Sequence, residues 1–236
     1  MSPTILFEDD DIVVLDKPSG MLSIPDRFDE AAPTLSTWLK ARYGDIFVVH
    51  RLDRETSGVI LFAKNADAHR ALSAQFETHT ARKRYEAVVD GIVEPPSGTI
   101  DLPIGPHPRQ RGMMCVDMRN GKPSVTHYTT IARFRTFSHL SLELETGRQH
   151  QIRVHCLAIG HPLAVDALYG KRAALLLSSF KKNYHGSGEE RPLIARLTLH
   201  AADLTFTHPR TQLPLTVSAP LPKDLTALLR QIARWN

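Results

Sequence analysis

Cysteine is scarce. The 236 residues hold two, Cys115 and Cys156, and neither sits in a Cys-x-x-Cys pair. That spacing excludes a zinc ribbon, and in a cytosolic chain it points to two free thiols rather than a disulfide. A leader is missing too: Met1-Ser2-Pro3-Thr4 runs almost directly into a strand-like segment, so the cytoplasm is the expected compartment. No apolar run approaches the ~20 residues that cross a bilayer, and no membrane partner is expected. Charge of one sign is also limited. Lys and Arg number 29 against 25 for Asp and Glu, a formal net charge of +4, which permits a polyanionic partner without demanding one. Gly121-Lys122-Pro123 lacks the glycine spacing of a phosphate-cradling loop, and no Gly-x-Ser-x-Gly elbow is present. There is neither an internal repeat nor a low-complexity tract.

What is present is an ordinary globular composition, 42% hydrophobic and 23% charged, at a length that one domain, or two sub-lobes sharing a core, can fill. Ile5-Leu6-Phe7 and Ile12-Val13-Val14-Leu15 read as strands about an acidic turn, and Lys17-Pro18-Ser19-Gly20 breaks the regular structure. Thr34 is a candidate N-cap for a helix with Leu35, Trp38 and Leu39 on one face and Gly44 past its end. Ile46–Val49 is a short β-rich run. Val59-Ile60-Leu61-Phe62-Ala63 is apolar without alternation, the pattern of a strand covered on both faces. Asn65 or Asp67 starts a helix bearing Ala68, Leu72 and Phe76; Arg82–Val89 is a strand with a basic entrance. Residues 95–123 read as hairpins and loops, 125–130 as an exposed strand, and Leu140, Leu142 and Leu144 mark a half-buried strand. Thr146-Gly147-Arg148-Gln149 fits a capping box before a helix that turns Ile152, Cys156 and Ile159 to the core and stops at Gly160. Residues 180–192 read as a polar, mobile loop, 197–204 as a late strand, and Leu225, Leu228, Leu229 and Ile232 as the stripe of a final helix. Strands dominate and helices are interspersed irregularly, so the expected class is α+β with a mixed sheet.

Two stretches carry chemistry. In His50-Arg51-Leu52-Asp53-Arg54-Glu55-Thr56-Ser57-Gly58, one Asp stands among charged neighbours between two apolar runs. Arginines on either side favour the ionised carboxylate, which can serve as nucleophile or general base; an ion-paired loop holding the strands in register fits the same residues. In Gly147–His155, Gln149 and Arg153 are four apart and share a helix face, and Arg148 near the helix start suits a phosphate; a solvated polar face fits equally. His150 and His155 are five apart, which is wrong for two ligands on one helix face, so no metal is expected from them with Cys156 and His161. Tyr85, after Arg82, Lys83 and Arg84, suits either base stacking or core filling.

Taken together, these stretches resemble the RluA-type RNA pseudouridine synthases. His50-Arg51-Leu52-Asp53 with Thr56-Ser57-Gly58, Lys83-Arg84-Tyr85, and Gly147-Arg148-Gln149-His150-Gln151-Ile152-Arg153-Val154-His155 followed by Gly160-His161-Pro162 and Asp166 all match family motifs, as does Asp16-Lys17-Pro18-Ser19-Gly20, in family order across residues 5–170. The resemblance implies a bent, largely antiparallel mixed sheet with flanking helices and a central catalytic cleft, forming one catalytic domain over 1–236. It implies isomerisation of a uridine within RNA, ribosomal or transfer, without a cofactor. By position it makes Asp53 the catalytic carboxylate, Tyr85 the active-site tyrosine, Arg153 the ion-pair partner of Asp53, and Arg51 the residue that handles the flipped nucleotide. His50, Leu52, Thr56, Lys83, Arg148 and Ile152 fall among the substrate-side residues. A basic S4-type domain found ahead of some family members has no room here, so RNA selection is expected from loops at 105–120, with Arg109, Arg111 and Arg119, and at 171–191, with Lys171, Arg172, Lys181 and Lys182. A monomer is expected. Two other readings compete. A catalysis-independent RNA-binding module is opposed by the intact Asp53, Tyr85 and Arg153. A nucleoside glycosidase is opposed by the lack of a second well-placed carboxylate.

Overall fold

The computed structural model describes residues 2–25, 33–181, 184–185 and 189–235. In chain order these form β1 (Thr4–Glu8), β2 (Ile12–Lys17), α1 (Leu35–Tyr43), β3 (Phe47–Val48), β4 (Ser57–Ala63), α2 (Ala66–Glu77), β5 (Arg82–Asp90), β6 (Ser97–Asp101), β7 (Ile104–Pro106), β8 (Met114–Val116), β9 (Val125–Arg133), β10 (Phe137–Leu144), α3 (Gln151–Ala158), β11 (Leu199–Thr207), β12 (Pro214–Ser218) and α4 (Lys223–Trp235). The class is α+β with parallel and antiparallel pairings, as the irregular order of elements predicts. The chain divides into two compact units, Met1–Tyr85 with His200–Pro220, and Glu86–Leu199 with Leu221–Asn236.

In the first unit β4 is central, and every one of its residues is buried. β2 pairs with it antiparallel from Ile12↔Ala63 to Lys17↔Gly58, and β11 pairs parallel at Ser57↔His200 and Gly58↔Ala201. The parallel contact demands glycine. Gly58 has φ +113°, and a Cβ there would lie 2.1 Å from the Ala201 carbonyl oxygen. Helix α2, capped by the Asn65 side chain on the Ala68 amide, lays Ala68, Leu72 and Phe76 against Ile12, Val14, Val59 and Leu61. Helix α1 begins at the expected Thr34, which shares reciprocal hydrogen bonds with Thr37, and buries Leu35 and Leu39. β12, which pairs with β11, gave no periodic signal because Val217 is its one buried residue.

In the second unit β9 lies between β10 and β6, antiparallel to both. The stripe of α4 packs Leu225, Leu228 and Ile232 against Val88, Phe137, Ala164 and Ile194. Residues 95–123 form the expected hairpins, with β7 and β8 paired antiparallel. Two readings need correction. The 125–130 strand is half-buried rather than exposed, with Thr126 at 0% and Tyr128 at 8%, because α3 packs on that face. The capping box is displaced as well. His150 adopts a left-handed backbone (φ 55°) and α3 starts at Gln151, leaving Gln149 outside the helix and off the Arg153 face. It is the Gln151 side chain that reaches back, accepting from the Thr146 hydroxyl and the Arg148 amide (both 2.9 Å) and donating to Val125 O and Thr126 Oγ1.

Candidate active site

Antiparallel pairing of β2 with β4 places the chain leaving β2 beside the chain entering β4, so residues 17–23 meet the loop that carries Asp53. Lys17 is fully buried, and its ammonium donates to the carbonyls of Pro18 (3.1 Å), Met21 (2.7 Å) and Arg54 (2.8 Å). The Gly20 amide also reaches Arg54 O (2.9 Å), the Ser19 hydroxyl donates to Glu55 O (2.7 Å), and the Ser23 hydroxyl both donates to Leu52 O and accepts from Leu52 N. Main-chain groups on either side of Asp53 are therefore pinned, and the Thr56 amide closes the turn on Asp53 O (3.1 Å). The flanking arginines contribute little to this bracing. Arg51 is exposed, and Arg54 hydrogen-bonds Gly20 O while facing Glu55 at 3.7 Å across a solvated gap. Leu52 and Thr56 are buried, and Asp53 is half-buried between them.

Lys17→Met keeps the aliphatic stem but leaves three inward carbonyls without their cationic donor. The expected cost is about 1–3 kcal/mol, the range for leaving a buried polar group without its partner. It should appear as a lower urea midpoint with the slope unchanged, together with a lower turnover number because the loop loosens. A midpoint within error of wild type would mean that the carbonyls are satisfied without Lys17.

Tyr85, the last residue of the first unit, is buried. Burial and then the Asp53 charge push its phenol well above the ordinary range, so it stays neutral with the carboxylate beside it. His50 stacks on Phe76 (4.6 Å, 17°), and its Nε2 accepts the Leu61 amide at 3.0 Å, a bond that requires the unprotonated imidazole. Burial, with the Lys83 charge added, lowers its pKa from 6.5 to about 3. The Lys83 ammonium lies 5.9 Å from the Phe76 ring centroid and is itself lowered by burial. Between pH 6.5 and 3 the unfolded chain therefore binds a proton at His50 that the folded chain does not, so stability falls as pH is lowered through that window. His50→Gln supplies a non-titrating acceptor to the Leu61 amide. Urea midpoints at pH 7.5 and 5 should drop more for wild type than for this variant, and parallel drops would remove His50 as the source.

In the second unit Arg153 is the first charged residue of α3 and is 5% exposed. Its Nε and Nη2 donate to the two carboxylate oxygens of Asp166 at 2.8 and 2.7 Å. Burial pushes the Asp166 carboxyl up, but the guanidinium and the amides of Tyr169 and Leu168 outweigh this and hold it below the ordinary range. The Tyr169 ring covers the guanidinium at 4.8 Å. Ile152 is buried; Arg148, expected to suit a phosphate, is half-buried, with its Nε on Pro123 O and its amide on the Gln151 side chain. His155 is held through both ring nitrogens, by Thr126 and Leu102 O, and His161 bonds Asp90 O; these are structural placements. Among the described residues Asp9, Asp11 and His208 do converge, but Arg210 occupies Asp11 and His208 occupies Asp9.

Of the loop cations, Arg109, Arg111, Arg119 and Lys171 are exposed. Arg172 is engaged with Asp90 (2.6 Å), Lys181 stacks on Trp235 (4.3 Å), and Lys182 lies outside the described residues, as does part of the 180–192 loop. Sequence reasoning quoted Lys17 and Asp166 without giving them a role and passed over Tyr169. A signal existed for Asp166, since a buried arginine requires a carboxylate partner.

A family model described as RNA pseudouridylate synthase matches residues 11–158. A ribosomal large subunit pseudouridine synthase D of Nitrosomonas europaea is 38% identical over 97% of the chain, which spans 64% of that protein. A dual-specificity RNA pseudouridine synthase RluA of Vibrio vulnificus is 40% identical over 88% of the chain and 78% of its own length. The solved human RNA pseudouridylate synthase domain containing 1 superimposes with a TM-score of 0.73 at 27% identity, covering 100% of this chain and 88% of that one.

Proposed function

The chain belongs to the RNA pseudouridylate synthase family, and from that premise we propose that it isomerises specific uridines in structured RNA, ribosomal or transfer, to pseudouridine. The observation that carries the proposal is the braced Asp53 loop with the neutral Tyr85 phenol beside it.

In the proposed reaction the N1–C1′ bond breaks, the base rotates, C5 bonds to C1′, and the C5 proton leaves to solvent while N1 gains one. Asp53 starts the sequence either by attacking C1′ or by removing the 2′ proton. Tyr85, too basic as a phenolate to ionise, holds the detached base by its ring face and hydroxyl. Arg153 takes the role in the reaction that the family motif gives its arginine, and its clamp to Asp166 keeps the guanidinium plane fixed. Arg51, exposed ahead of Asp53, handles the flipped nucleotide. Leu52 and Thr56 beside Asp53 keep water from the intermediate, while His50, Lys83, Arg148 and Ile152 stand among the substrate-side residues that the family motifs assign. Flipping a uridine costs a few kcal/mol, offset by cationic loops that take up phosphates; Arg109, Arg111 and Arg119 are the candidates with exposed side chains. The proposed protein acts as a monomer in the cytoplasm, where its two free thiols, Cys115 and Cys156, would stay reduced.

The test is tritium release from RNA labelled at uridine C5 and isolated from cells lacking this gene. Release by the purified protein, followed by size fractionation of the RNA, establishes a C5-substituting isomerase and its substrate class. RNA binding without release supports a binding module instead.

A further inference from the structure

The β7–β8 hairpin is a built structure. His107 donates its amide to Met113 O (2.9 Å), and its Nδ1 accepts the amides of Arg109 (3.3 Å) and Gln110 (3.0 Å), leaving two exposed cations, Arg109 and Arg111, at the tip. Its inner side chains, Met113, Met114 and Val116, pack with Ile104 against Val154 of α3 and Tyr169.

Tyr169 connects more than packing requires. Its hydroxyl accepts the Met114 amide at 2.8 Å and hydrogen-bonds His150 Nδ1 at 2.8 Å. With one lone pair committed to Met114, the phenol still has its own proton to give to the imidazole. His150 is the left-handed residue (φ 55°) from which α3 starts, and its side chain, turned to Tyr169, caps no amide of the helix; that backbone is unfavourable for a residue other than glycine. The Tyr169 ring meets the His150 ring edge-on (5.5 Å, 78°), covers the Arg153 guanidinium, and sits on the turn whose amide caps Asp166 Oδ1 (3.0 Å). A filler in this cluster would need only the ring. The hydroxyl spans two elements far apart in sequence, the hairpin and the start of the Arg153 helix.

We infer that Tyr169 is a positioning residue that joins the Arg109/Arg111 hairpin to Arg153, so that RNA phosphates held at the hairpin tip set the geometry of the guanidinium. Phosphate contacts elsewhere only anchor a substrate; here they also raise the rate of the step after binding. The inference rests on the assignment of Arg153 to the reaction.

Single-turnover C5 tritium release at limiting and saturating RNA tests it, with wild type, Tyr169→Phe, Arg109→Ala/Arg111→Ala, and the triple variant. Tyr169→Phe should lower the saturating rate about tenfold, the worth of a hydrogen bond between buried partners, with RNA affinity unchanged. The arginine pair should lower affinity and saturating rate together. In the triple variant the affinity loss persists, but the saturating rate is no lower than in Tyr169→Phe, because the connection is already cut. Rate losses that multiply, an arginine effect on affinity alone, or a wild-type saturating rate in Tyr169→Phe would each overturn the inference. A second pair of variants does not touch Tyr169: His150→Asn, which tolerates the left-handed backbone and keeps an acceptor, should retain more rate than His150→Ala, and equal losses also count against it. Arg153→Lys separates the two levels. A wild-type rate there removes Arg153 from the reaction, whereas a lost rate beside an unaffected Tyr169→Phe removes the Tyr169 connection alone.

Discussion

Asp53→Asn is expected to abolish turnover while leaving the fold and RNA binding in place. The substitution is nearly isosteric, and the bonds that Lys17, Ser19, Gly20 and Ser23 make to the loop grip main-chain atoms, which the change leaves in place. The urea midpoint should therefore stay close to wild type, within the ~0.5 kcal/mol typical of changes away from buried contacts. The reaction has no comparable substitute. An amide neither attacks C1′ nor accepts the 2′ proton, and loss of a nucleophile or base from a preorganised site costs on the order of 10⁴-fold or more in rate. The checking measurement is tritium release under single-turnover conditions beside a filter-binding isotherm on the same RNA. Retention of more than a few per cent of the wild-type rate would sink the assignment of Asp53 as the reacting carboxylate. Loss of RNA binding along with turnover would make Asp53 part of the binding surface.

The elements that build this arrangement were legible to different degrees, for physical reasons. β4 declared itself, since a strand covered on both faces cannot alternate, and Val59–Ala63 does not. The caps at Thr34 and Asn65 were legible because a side-chain oxygen three residues ahead of an amide is a local device. The start of α3 was not. Thr146 and Gln149 have the right spacing for a capping box, but the turn before the helix closes through a left-handed His150 and takes Gln151 as its glutamine, and no local pattern distinguishes those choices. The burial of Thr126 followed from packing against α3, which strand periodicity does not encode. Asp53, Tyr85 and Arg153 were picked out by motif. The residues that hold their surroundings are separated from them by distances only the fold can close: Lys17 reaches a carbonyl 37 residues away, and Asp166 lies 13 residues past its arginine.

That last separation leads to the largest expected change in stability. Asp166→Asn keeps an oxygen to accept the Leu168 and Tyr169 amides and one guanidinium N–H, so it removes little except charge. What remains is a guanidinium at 5% exposure whose bidentate carboxylate partner has been neutralised, and breaking a buried ion pair by neutralising one partner costs about 3–5 kcal/mol. Arg153→Met is expected to cost less, because the abandoned Asp166 still receives two amide hydrogen bonds, at 2.9 and 3.0 Å, and can protonate. Combining Arg153→Met with Asp166→Leu removes both charges of the pair, so the double variant should recover most of the stability lost in Asp166→Asn and still fail to turn over. The pH dependence has a definite sign. Asp166 is held below its unfolded value of 3.8, so the contribution of the pair is fully present above that value and is lost as pH falls through the lower, folded one. Equilibrium urea unfolding of the four proteins at pH 7 decides the matter. A cost below ~1 kcal/mol for Asp166→Asn would place the pair with hydrated surface bridges, and Arg153 would then need another anchor. A double variant as unstable as Asp166→Asn would show that the bidentate geometry, not the balance of charge within the pair, is what the second unit depends on.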